Sequence, residues 1–279
     1  MGFFFAKMKH YHNIKFQTPL RWWYGFALRY QDGFKGKREY HVLSQIKFNS
    51  SAPMNWFSNQ YPWYGIEEED FIKVIYIYPN LISLPDLLHV FKSLTHLVID
   101  NNLLTILPDL YALISLQVLF IHNNLLKELP DLYPLVSLLD LNVHNNFLTT
   151  LPNSIGTLVN LTYLDASSNQ LRSLPDSLCN CIALKYLNVN NNQLTNLPDL
   201  IGLCDALRYI YVGDNLLIEL AFSIGQCILL EALDIHNNQL IELPISLRKC
   251  LSLNTLFASG NLVDFLKQDF SIHRTYQIF

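Results

Sequence analysis

Charge is scarce in this chain: only 15% of its 279 residues are Asp, Glu, Lys or Arg, against ~25% in an ordinary soluble domain. Hydrophobic residues make up 51%, yet no apolar run approaches the ~18 residues that a membrane-spanning helix needs. Near the N-terminus the apolar stretch Phe3–Ala6 is too short for a secretory signal core. Ala6 stands where a myristoylation signal carries Ser or Thr. These absences predict a protein made and folded in a cytoplasm. Catalytic signatures are missing too: there is no glycine-rich phosphate loop, no H-E-x-x-H and no G-x-S-x-G. Catalysis and cofactors are therefore not expected.

What the chain does contain is periodic. Nine asparagines, Asn80, Asn102, Asn124, Asn146, Asn169, Asn192, Asn215, Asn238 and Asn261, follow one another at steps of 22 and then 23 residues. Each closes an apolar frame L-x-x-L-x-L-x-x-N, as in Leu116, Leu119, Ile121, Asn124 or Leu184, Leu187, Val189, Asn192. Alternation across a short strand points Leu119 and Ile121 inward and Val118, Phe120 and His122 outward. One such unit cannot bury its leucines alone, but stacked units can, with their strands paired in parallel. The asparagine amide, both donor and acceptor, is suited to backbone groups at the turn that stacking hides from water. Between strands the link reads L-P-x-x-L, from Leu84-Pro85 to Leu243-Pro244, with Leu220-Ala221 as a tolerable exception. Proline fixes φ and lacks a donor, which suits an irregular or 3₁₀ connection on the convex side.

This frame and period resemble the intracellular leucine-rich repeat proteins of the 22/23-residue class, found as adaptors, scaffolds and bacterial effectors. The expectation is an α/β leucine-rich repeat solenoid of about nine repeats, with a curved parallel sheet on its concave face. Four parts follow: a basic, aromatic-rich segment at 1–49, an N-terminal cap at 50–70, the repeats at 71–265 and a C-terminal cap at 266–279. Residues 1–66 hold nine Lys/Arg and two Asp/Glu, together with all four tryptophans, Trp22, Trp23, Trp56 and Trp63. A solenoid end needs cover, so capping is the first reading of 50–70. A basic stretch interleaved with aromatics is also compatible with single-stranded nucleic acid or an anionic membrane surface, or with the acidic repeats themselves.

Cys181, Cys204, Cys227 and Cys250 recur every 23 residues, in the column that Phe91, Leu113, Leu135 and Leu158 occupy upstream. Periodic replacement of leucine is the mark of a buried column rather than a metal or disulfide site. Cys179 with Cys181 forms only C-x-C, and the cysteine-rich flanking caps of extracellular relatives are missing, which suits a reducing compartment. Cys179, outside the column, is the one thiol expected to react quickly. The sequons at Asn49 and Asn160 read as chance matches.

Function is expected on the outward strand positions. Tyr163, Tyr186 and Tyr209 form a ladder in one column, with Tyr211 beside it and Asp140, Asp165 and Asp234 around it. Amphipathic aromatics are enriched at interface centres, and bordering carboxylates suit a basic partner. Phe120, His122 and His144 extend the same surface. His-Asn-Asn recurs at His122, His144 and His236 as a feature of the repeat, so no metal site is expected although Asp100 falls in the same column. The reading is a monomeric, non-catalytic protein-binding module that acts on its concave face. Its alternative is a repeat-only bacterial effector that binds a host protein, or a binder of nucleic acid or anionic membrane through the N-terminus. The eighteen residues after Asn261 leave no room for the ubiquitin-ligase domain that some repeat effectors carry.

Overall fold

A computed structural model of the chain describes residues 47–48, 63–68, 71–77, 81–84, 88, 91–262 and 277–278. The basic segment before 47, most of the expected N-terminal cap, Asn80 and the expected C-terminal cap other than 277–278 lie outside the described residues.

Each repeat contributes one short strand, and in-register stacking of these strands builds the sheet. The first four strands are β1 (Lys47–Phe48), β2 (Trp63–Glu68), β3 (Phe71–Ile77) and β4 (Leu81–Ser83). The repeats then supply β5 (His96–Val98), β6 (Val118–Phe120), β7 (Asp140–Asn142), β8 (Tyr163–Asp165), β9 (Tyr186–Asn188), β10 (Tyr209–Tyr211), β11 (Ala232–Asp234) and β12 (Thr255–Phe257). β13 (Gln277–Ile278) closes the list. Among the described residues, one curved sheet runs β13-β12-β11-β10-β9-β8-β7-β6-β5-β3-β2, parallel from β13 to β3, with β2 antiparallel on β3 at its edge. The central strand residues align as Leu97, Leu119, Leu141, Leu164, Leu187, Ile210, Leu233 and Leu256, and all are buried. That column and the flanking frame leucines make one continuous core. The fold is the leucine-rich repeat solenoid expected from the period.

The frame asparagines tie coil to coil. Asn124 donates through Nδ2 to Ile121 O (3.0 Å) in its own coil and to Ile99 O (2.9 Å) in the one before. Its Oδ1 accepts the N–H of Leu104 at 3.1 Å. The same set recurs at Asn146, Asn169, Asn215 and Asn238. Buried backbone groups left by the turn are thereby paired. The residue before the frame asparagine is left-handed at Asn101, Asn123, Asn145, Ser168, Asn191, Asp214, Asn237 and Gly260, with φ between 49° and 71°. Asn, Asp and Gly tolerate that region best, which explains the recurrent Asn-Asn doublet.

The convex side depends on the length of the step. Every 23-residue coil holds a 3₁₀ turn: Asn153–Thr157, Asp176–Asn180, Ile201–Leu203, Phe222–Gln226 and Ile245–Lys249. The 22-residue coils 103–124 and 125–146 have none, although Leu88, in the coil before them, is 3₁₀. In the longer coil, Ile155 N bonds Pro152 O, Leu158 N bonds Ile155 O and Leu161 N bonds Leu158 O, all at 3.0 Å, whereas the shorter one closes Leu113 N to Leu110 O and Leu116 N to Leu113 O. The longer coil thus adds one further three-residue turn. Ala221 takes φ −55° and ψ 132°, close to the −65° and 136° of Pro244, and the turn after it forms as in its neighbours.

The cysteine column is buried as expected, with Cys181, Cys204, Cys227 and Cys250 no more than 1% exposed. Each thiol also donates to a carbonyl of the preceding coil, as Cys181 Sγ does to Ile155 O at 3.2 Å and Cys250 Sγ to Ile224 O at 3.3 Å. Burial pushes the Cys181 and Cys227 thiols up to about 12 and that of Cys250 to about 11. Cys179 corrects the sequence reading: it is buried too, because its 3₁₀ turn packs against the next one, and burial likewise raises its pKa.

Candidate binding surface on the concave face

Parallel, in-register strands bring every third-position side chain of one coil beside its equivalent in the next, ~4.8 Å away. β8, β9 and β10 therefore place Tyr163, Tyr186 and Tyr209 side by side. The rings of Tyr163 and Tyr186 stack with centroids 4.5 Å apart and planes 12° from parallel. Tyr186 also meets Tyr209 at 6.4 Å and Tyr211 at 5.4 Å in tilted contacts. All four are half-buried, so part of each side chain stays open to solvent. Burial is the main cause of the raised pKa of Tyr163, Tyr186 and Tyr211, with Asp165 contributing at the first two and Asp234 at the third. At Tyr209 the main cause is the hydrogen bond to Glu231. The four hydroxyls stay protonated and can donate.

The carboxylates differ from expectation. Asp140, Asp165 and Asp234 lie on the concave face in the expected register, yet they are 6–7% exposed rather than open at its border. Flanking side chains cover them and occupy their oxygens. Asp165 accepts from Ser167 N (3.0 Å), Ser167 Oγ (2.6 Å), Tyr163 OH (3.3 Å) and Asn188 Nδ2 (3.2 Å). Asp140 accepts from Thr162 Oγ1 at 3.3 Å. Asp165 thereby ties Tyr163 to the turn at Ser167, and Asp234 accepts from His236 N in the same way. Sequence reasoning missed Glu231, which accepts from Tyr209 OH at 2.6 Å and pairs with Arg208. Glu231 precedes its strand, outside the columns that alternation picks out.

Phe120, His122 and His144 fall on the same face toward the first repeats. The two imidazoles stack at 4.5 Å, Phe120 meets His122 edge-on, and His122 Nε2 lies 3.5 Å from Asp100. His122 Nδ1 is buried with no hydrogen-bond partner. Burial lowers the pKa of His122 and the His144 charge adds to this, against Asp100. Among the described residues no group of three or more His, Cys, Asp or Glu is placed to hold a metal ion.

At the other end, His236 bridges two carboxylates, with Nδ1 2.5 Å from Asp234 and Nε2 3.0 Å from Asp214. Gly213 leaves the room for it: a Cβ there would stand 2.2 Å from His236 Nδ1. Burial alone would lower the His236 pKa, but the bond and charge of Asp234, joined by Asp214, outweigh it and raise the value.

Residues 159–202 match the family model described as two copies of leucine rich repeats. No curated protein matches the chain. Among solved structures, the leucine-rich effector protein YopM of Yersinia pestis is 32% identical over 65% of this chain, with a TM-score of 0.53. A TDR receptor is 28% identical over 68%, at 0.59. The ectodomain of the plant receptor kinase GASSHO1/SCHENGEN3 of Arabidopsis thaliana, 23% identical over 81% at 0.62, shares the fold. This chain spans 52%, 35% and 32% of those three chains. No helix among the described residues is long and apolar enough to cross a membrane. Frame, coil geometry and the match over residues 159–202 together identify the fold as that of the leucine-rich repeat proteins.

Proposed function

We propose that the chain is a non-catalytic module that binds a partner protein on its concave face, with Tyr163, Tyr186, Tyr209 and Tyr211 as anchors. A leucine-rich repeat fold implies a protein-interaction module. The observation that carries the choice of surface is the tyrosine cluster, four half-buried rings in mutual contact across three strands. The core does not need them, since the alternate strand positions already supply it. Rigid amphipathic rings are what interface centres use. Asp140, Asp165 and Asp234 on the same face favour a basic partner segment, and Phe120, His122 and His144 extend the contact. The protein works as a monomer in a cytoplasm.

A second reading is favoured by the likeness to the Yersinia effector: delivery into a host cell, with the same face taking a host protein. The test common to both is affinity capture with the wild type and a Tyr186→Ala/Tyr209→Ala variant. The variant is expected to lose the partner while keeping a cooperative melt. An identical partner set would move the site off the concave face.

A further inference from the structure

Two columns of side chains outside the core change character together near the end of the solenoid. Three residues after the frame asparagine, the chain carries Thr105, Lys127, Thr149, Arg172 and Thr195, then Ile218 and Ile241. Seven residues after it stand Asp109, Asp131, Asn153, Asp176 and Asp199, then Phe222 and Ile245. Packing does not explain the switch, because Ile218, Phe222, Ile241 and Ile245 are 56–68% exposed. The proline column is interrupted at the same place by Ala221. A hollow of ≈ 610 Å³ lies there, with Ala221, Phe222 and Ile245 among its lining residues. Asp199, Glu219 and Glu242 also line it, from three successive coils, against one cation, Arg248. None of the three carboxylates makes an ion pair or side-chain hydrogen bond among the described residues.

We infer that this hollow is a second docking surface, separate from the concave face, for a partner segment in which Lys or Arg alternates with apolar side chains. Contiguous exposed apolar surface rimmed by polar groups marks an interaction site. Here the rim is mainly negative, three carboxylates to one guanidinium, so it selects a basic partner and disfavours an acidic one. Alternation fits because two successive coils each line the hollow with a carboxylate and an exposed apolar side chain, Glu219 with Phe222 and Glu242 with Ile245. An extended segment crossing the two coils meets an apolar side chain and then a carboxylate in each.

Fluorescence anisotropy of the full chain with a short fluorescein-labelled peptide alternating lysine and leucine tests this. Binding is expected, and Glu219→Lys/Glu242→Lys is expected to weaken it at least tenfold, as is Phe222→Ser/Ile245→Ser. All four positions are exposed, so the variants should keep the wild-type melt. Asp109→Lys/Asp131→Lys, a charge reversal outside the hollow, and Tyr186→Ala/Tyr209→Ala should bind as the wild type does. Equal affinity for a lysine–serine peptide would overturn the inference, since only diffuse attraction would remain. Unchanged binding by either hollow variant would do the same. So would carbodiimide cross-links from Glu219 or Glu242 to the chain's own Lys7–Lys37 in place of the peptide, because the occupant would then be internal.

Discussion

Asn169 shows how much depends on a single side chain. Its amide donates to Val143 O and Ala166 O and accepts from Leu148 N, all within the stacked interior. Replacing it with alanine leaves buried backbone groups unpaired, each at ~1–3 kcal/mol. Asn169→Ala is therefore expected to lose about 3 kcal/mol or more in urea unfolding, and Asn160→Ala, at an exposed amide, less than about 1 kcal/mol. A small loss at Asn169 would mean that water replaces the amide. His236 carries a pH signature. Folding raises its pKa, so the stabilisation is complete below the unfolded value of ~6.5 and disappears as pH rises through the folded one. His96 and His122 have the opposite sign: burial first and foremost lowers both, so their share of stability declines as pH falls below ~6.5. His236→Gln should cost more at pH 5 than at pH 8, by about 0.5 kcal/mol for a pair this exposed. Equal costs at the two pH values would remove the carboxylate clamp from the account.

Whole elements were legible where one residue type repeats for one physical reason. Leucine alternation placed the strands, and the proline column placed the convex links. The left-handed position was hidden because Asn101 and Asn102 look alike in sequence, although one sets φ and the other bonds backbone. The step from 22 to 23 residues is plain in the sequence, but the further 3₁₀ turn it brings depends on backbone bonds that spacing alone does not specify. Cys179 escaped because its burial comes from the neighbouring turn, outside its own frame. All five thiols are now expected to label slowly in the native protein and together in urea, and one fast thiol would contradict the packing of these turns. Ala221 already holds a proline-like conformation, so Ala221→Pro should stabilise by about 0.5–1 kcal/mol through the unfolded chain. A destabilised variant would show that the coil needs freedom there.

At the scale of the molecule, a stacked repeat has ends that must be covered, and we propose that β2, antiparallel on β3, is part of that cover. Removing residues 1–48 should leave a soluble, cooperative solenoid, while removing 1–70 strips β2 and should promote aggregation. Equal behaviour of the two would place the cap elsewhere. The tyrosine columns were readable from alternation alone, whereas the depth of Asp165 and the reach of Glu231 required three-dimensional neighbours. The central claim is that a partner protein sits on the concave tyrosines. Replacing Tyr186 with the photo-cross-linker benzoylphenylalanine tests it most directly, with the same group at exposed Ile182, ahead of the strand, as the control. The account predicts one discrete partner adduct from position 186 and none from 182. Adducts from 182 alone would contradict it.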